Sequence, residues 1–129
     1  MTIAIICTAL LGLLLFGLGL GVSLTRGSTK TNFGYTPDPT DRLYKMIRAH
    51  GNTTEYAPML AVLMLLVGSR NPSLWALWVM GIATVSRYLL VAGLLLSPTL
   101  GKPHPLRFAG ALGTYLCGVA LCVAVFLTK

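Results

Sequence analysis

Two stretches, Thr2 to Thr25 and Phe108 to Thr128, run without a single charged residue. Each is long enough to cross the hydrocarbon core of a bilayer, which takes about 20 apolar residues in a helix. Leu74 to Leu96 is interrupted only by Arg87, and Leu43 to Gly68 carries Lys45 and a short polar stripe. The composition agrees: 55% of the residues are hydrophobic and 10% charged, with a mean hydropathy of +0.77. A soluble domain carries about 25% charged residues. The sequence therefore predicts an all-α integral membrane protein, one domain of four transmembrane helices over residues 2–25, 43–68, 74–97 and 106–128. The first stretch lacks the basic flank of a signal peptide and is longer than such a core, so it is read as a span. The connections, Arg26 to Asp41, Ser69 to Ser73 and Ser97 to Pro105, leave no room for a soluble domain.

An even number of spans puts both termini on one side and the first and third loops on the other. Arg26, Lys30, Arg42, Lys45 and Lys102 fall on the loop side, against Arg70 and Lys129 on the terminal side. The positive-inside rule makes these loops cytoplasmic and both termini periplasmic or lumenal. Topology accounts for the net charge of +7, so a nucleic-acid partner, which would use a basic face on a soluble module, is not called for.

Within the second span lies the segment that speaks to function, Arg48-Ala49-His50-Gly51-Asn52-Thr53-Thr54-Glu55-Tyr56-Ala57-Pro58. At about 100° per residue, Asn52 and Glu55 fall within roughly 40° of Arg48 and form one polar stripe. Ionisable groups at membrane depth are costly and normally face a bundle interior or a wet cavity at a functional site. Arg87 and Tyr88 lie toward the cytoplasmic end of span three, and Arg107 opens span four from the same side. A site drawing on all of them carries excess positive charge and should bind an anion.

Structural readings compete at each position. Arg48 and Glu55 make a register-fixing ion pair with Asn52 as interhelical glue in one alternative. Arg42 and Arg107, near span ends, can snorkel to the headgroups. Arg87 is about 13 Å along the helix from Leu96, which favours an internal partner. Tyr44, Tyr56, Tyr88 and Tyr115 suit an interfacial belt, but Tyr56 and Tyr88 adjoin charges. Pro58 leaves the Thr54 carbonyl without its helical donor and should bend span two. Gly17 and Gly21, and Gly110, Gly113 and Gly118, offer sites of close helix approach. Cys7, Cys117 and Cys122 are expected to be buried small hydrophobes. His50 and His104 lack acidic or cysteine companions at ligand spacing, so no metal site is expected. Phosphate loops, nucleophile elbows and paired carboxylates are missing.

Arg48, Asn52, Glu55-Tyr56 and Pro58, with four short spans and Pro105-Leu106-Arg107 opening the last, resemble the MAPEG family, the membrane-associated proteins of eicosanoid and glutathione metabolism. The resemblance implies a homotrimer binding glutathione between neighbouring subunits on the cytoplasmic side. It implies that Glu55 holds the γ-glutamyl ammonium, that Arg48 and Asn52 contact carboxylate and amide groups, and that Tyr56 helps define the pocket. Arg107 matches the arginine that stabilises the thiolate. His50, Arg87 and Tyr88 complete the expected glutathione-binding set. Where several family enzymes carry aromatic or histidine ligands after the third-helix arginine, this chain has Leu90 and Leu94, and a shifted Tyr88 is the substitute. His50 stands where some relatives have another polar residue.

The expected activity is that of a membrane-bound glutathione transferase acting on hydrophobic electrophiles reached through the lipid, with hydroperoxide reduction as a companion activity. Glutathione is the co-substrate, and no metal is needed. The alternatives are a noncatalytic lipid-binding member of the same family and a small multidrug transporter. Such a transporter usually lacks an arginine near its intramembrane glutamate, and proton-coupled uptake in vesicles would identify it.

Overall fold

The computed structural model describes residues 1–127; the expected end of the last span at Thr128, and Lys129 beyond it, lie outside them. The chain is all α, with α1 (Thr2–Thr29), α2 (Arg42–Gly68), α3 (Leu74–Leu96) and α4 (Pro105–Leu127). Helix α1 runs one turn past Thr25 and takes in Arg26, a cation in the last turn where the helix dipole favours it. It stops at Lys30, which adopts the left-handed conformation with φ of 53°. Asp41 starts α2 by accepting the Tyr44 N–H at 2.7 Å on its carboxylate. Helix α3 gives way at Ser97, before Pro98, and α4 opens on Pro105, whose missing N–H costs nothing in a first turn.

Three of the helices, α1, α3 and α4, are long and apolar enough to cross a membrane. Helix α2 is as long, but its first half carries Arg42, Lys45, Arg48, His50, Asn52 and Glu55. The outward faces of the helices are apolar, with Leu13, Phe16, Trp78, Phe108 and Phe126 largely uncovered, a surface suited to lipid. The interior splits in two. One cluster, built around Leu11, Met64, Met80 and Leu121, fills the half nearer the termini. A smaller one, Leu18, Ala49, Leu90, Val91 and Leu94, lies under loops one and three.

Helix α2 continues unbroken through Pro58. A Cβ on Gly17 would meet nothing within 4 Å, and α1 approaches α2 instead at Gly19 beside His50, at Gly21 beside Met46 and most tightly at Gly68, where a Cβ would fall 2.5 Å from the Ala4 Cβ. Between α3 and α4 the backbones come much closer. A Cβ on Gly93 would sit 2.6 Å from the Arg107 nitrogen and 2.8 Å from its Cγ, while one on Gly110 or Gly113 would collide with Leu90 or Ser86. Gly93→Ala should therefore force the start of α4 outward and destabilise the protein by about 1–3 kcal/mol, the usual scale of overpacking. A lowered thermal midpoint in detergent checks this, and an unchanged midpoint would contradict the close approach.

Loops one and three meet at one end of the bundle. The Leu100 N–H donates to the Pro39 carbonyl at 2.8 Å, and the Lys45 ammonium to the Pro98 carbonyl at 2.9 Å. Beside this junction, the backbone N–H and hydroxyl of Thr40 hold the Asp38 carboxyl below its ordinary pKa.

Candidate functional site

Where α2, α3, α4 and loop three converge, they enclose an open cleft of about 370 Å³. Its polar wall is Arg48, Asn52, His104 and Arg107, and its apolar wall includes Leu90 and Leu94. Among the described residues no carboxylate lines it. Two arginines and an amide in one recess suit an anion, and a planar guanidinium suits a carboxylate in particular.

Behind Asn52 stands Arg87, a fully buried arginine. It donates to Asn52 Oδ1 at 2.8 Å and to Thr53 Oγ1 at 3.3 Å, and its guanidinium lies 5.4 Å from the centre of the Tyr56 ring. Its Nε and Nη1 are buried too and have no hydrogen-bond partner among the described residues, so the bundle meets this charge only in part, through Nη2 and the Tyr56 ring. This contact fixes Asn52: with the amide oxygen turned to Arg87, the amide nitrogen is the group left for the cleft.

Arg107 has two engagements. One terminal nitrogen donates to the Leu100 and Lys102 carbonyls, both at 3.0 Å, while the side chain also lines the cleft. The cation that opens α4 is thus held in place by loop three.

Glu55 and Tyr56 line a different space, an apolar groove of about 480 Å³ between α2 and α4. Tyr56 meets Tyr115 there, ring centroids 5.6 Å apart and hydroxyls 3.5 Å apart. Among the described residues Glu55 and Arg48 form no ion pair, and both are exposed. The stripe drawn on a helical wheel therefore divides: Arg48 and Asn52 turn toward α3 and α4 at loop three, and Glu55, nearly two turns on, opens onto the groove.

His50 and Tyr88 do not reach the cleft in this chain. His50 lies against Gly19 of α1, and the Tyr88 hydroxyl donates to the Leu10 carbonyl of α1 at 2.9 Å. Tyr88 follows the inward-facing Arg87 by one residue, a rotation of about 100°, so the two cannot share a face. Of the cysteines, Cys7 and Cys117 are buried, whereas Cys122 is exposed beside the groove rather than enclosed. His104 was not among the expected ligands; its signal was its place immediately before Pro105-Leu106-Arg107.

The family model described as "MAPEG family" matches residues 4–127, nearly the whole chain. The chain belongs to the MAPEG family. No curated protein matches it. MAPEG proteins use glutathione as a substrate and include glutathione transferases as well as noncatalytic members. The four-helix architecture and its apolar helices agree with the MAPEG membrane fold.

Proposed function

We propose that the protein is a membrane-bound glutathione transferase whose cleft holds the anionic end of glutathione against Arg48 and Asn52 and its sulfur against Arg107. The observation that carries this reading is the convergence of two arginines and an oriented amide in a recess without carboxylates. A free thiol has a pKa of about 8.5, and only its thiolate is a strong nucleophile. A fixed cation raises the thiolate fraction at neutral pH. The thiol proton passes to solvent, the sulfur lone pair forms the bond to an electrophilic carbon, and a leaving group such as chloride departs with the bonding electrons. With a hydroperoxide, two glutathiones would give the disulfide, an alcohol and water.

The working unit in this proposal is a homotrimer. Glu55 is exposed at membrane depth and unpaired among the described residues, so a neighbouring copy would cover it. Glutathione bound between subunits would then meet Glu55 through its ammonium and Tyr56 beside it, while Arg87 acts through Asn52. His50 and Tyr88 would take part only from a neighbouring copy. The apolar groove beside Glu55 supports the second reading, a noncatalytic lipid-binding member, because its walls suit an acyl chain. Purified protein assayed with glutathione and a chloronitrobenzene separates the two: the transferase reading expects conjugate formation and chloride release, and the lipid-binding reading expects neither.

The proposed topology puts α2 across the membrane and the cleft on the cytoplasmic side. In a variant without native cysteines, Asn32→Cys in loop one should resist an impermeant thiol reagent in intact cells and label after lysis. Ready labelling in intact cells would reverse the orientation.

A further inference from the structure

His104 stands at the start of α4, three residues before Arg107, and lines the same cleft. Its carbonyl accepts the Phe108 N–H at 3.1 Å, which ties its backbone to the first turn. Its Nδ1 is sealed from solvent and has no hydrogen-bond partner among the described residues, whereas Nε2 is not sealed in this way. A buried N–H without an acceptor is the rarer and costlier arrangement. Nothing beside Nδ1 can take a proton from it, so the neutral ring places its single proton on Nε2.

Resting on the glutathione reading above, we infer that His104 is a second sulfur ligand: its Nε2–H donates to the thiolate beside Arg107. The need for one is visible in Arg107, which spends one terminal nitrogen on the Leu100 and Lys102 carbonyls and has fewer donors left for the cleft. The charged side chains that line the cleft with His104 are Arg48 from α2 and Arg107 from α4, with Asn52 as the neutral polar neighbour. All favour an anion, and among the residues lining the cleft no carboxylate competes for the imidazole. In this role the ring acts through Nε2–H as a hydrogen-bond donor, not as the base that takes the thiol proton.

Two variants separate this role from the others. Glutamine carries an amide nitrogen near the place of Nε2, and asparagine carries one near Nδ1. Glutathione bound to the parent protein at neutral pH should give the near-ultraviolet thiolate band. His104→Gln should keep most of that band, and His104→Asn should lose at least half of it, with glutathione affinity within about threefold of the parent in both. Nitrogen NMR of the His104 ring should show the Nε2–H form. Loss of the band in His104→Gln with retention of the fold would mean that the ring accepts the proton, and overturns the inference. So would a full band in His104→Asn, an Nδ1–H ring, or a fall in affinity with the band intact, which would mean that His104 grips a carboxylate. Should both variants unfold, the ring tautomer of the parent protein decides. If the parent protein binds no glutathione, the glutathione reading fails, whereas a parent band that is indifferent to His104 fails this inference alone.

Discussion

Arg107→Ala should abolish the thiolate band of bound glutathione and lower turnover on the order of 100-fold, while leaving glutathione affinity within a few-fold. The size follows from removing one preorganised charge from a developing or standing anion, which costs about 10²–10³ in rate in comparable sites. Affinity should be spared because, in the proposed reading, the peptide is gripped by Arg48 and Asn52 of α2, which line the cleft with Arg107. Loop three will loosen as well, since the Leu100 and Lys102 carbonyls lose their donor. Arg107→Lys controls for this, keeping the charge but not the planar fork, and should retain part of the band. Absorbance titration with glutathione and steady-state assay of both variants are the checks. Normal turnover in Arg107→Ala would return this residue to a structural part, pinning loop three.

The second large effect is expected at Arg87. Truncation to alanine empties a fully buried site and strips Asn52 Oδ1 and Thr53 Oγ1 of their donor. The cavity and the lost hydrogen bonds together should cost about 3 kcal/mol or more. Arg87→Met behaves differently, because it fills much of the volume without burying a charge, and such exchanges are often neutral for stability. It should fold as the parent does yet bind glutathione at least several-fold more weakly, since the Asn52 amide is no longer oriented. Denaturation curves and binding isotherms of the two variants separate packing from positioning. Equal affinity in Arg87→Met and the parent would show that Asn52 does not depend on Arg87.

The four helices were legible because charge-free runs and proline punctuation are local signals, as at Pro98 and Pro105. Their ends were less so: Arg26 joined α1 because a helix terminus welcomes a cation, an effect that a hydropathy reading treats as a boundary. The gathering of arginines at one end of the bundle was legible, and Arg48 and Arg107 do line one cleft. Which side chains share a space was not. Helical angle alone grouped Glu55 with Arg48, but rise along the axis carries it about 10 Å onward, past the end of the cleft and into the α2–α4 groove. Tyr88 could not be assigned until α1 was seen to receive it at Leu10. His104 gave no warning in isolation, because its place in the cleft depends on α3 and α4 closing at Gly93 and Gly110.

The central claim is that the recess of Arg48, Asn52 and Arg107 binds glutathione, and calorimetric titration of the detergent-purified protein tests it most directly. The account predicts saturable binding in the parent, weakened at least tenfold by Arg48→Ala, as expected for loss of a charge-assisted contact worth about 1.5–3 kcal/mol. No binding to a folded parent protein, or an affinity unchanged by Arg48→Ala, would contradict it.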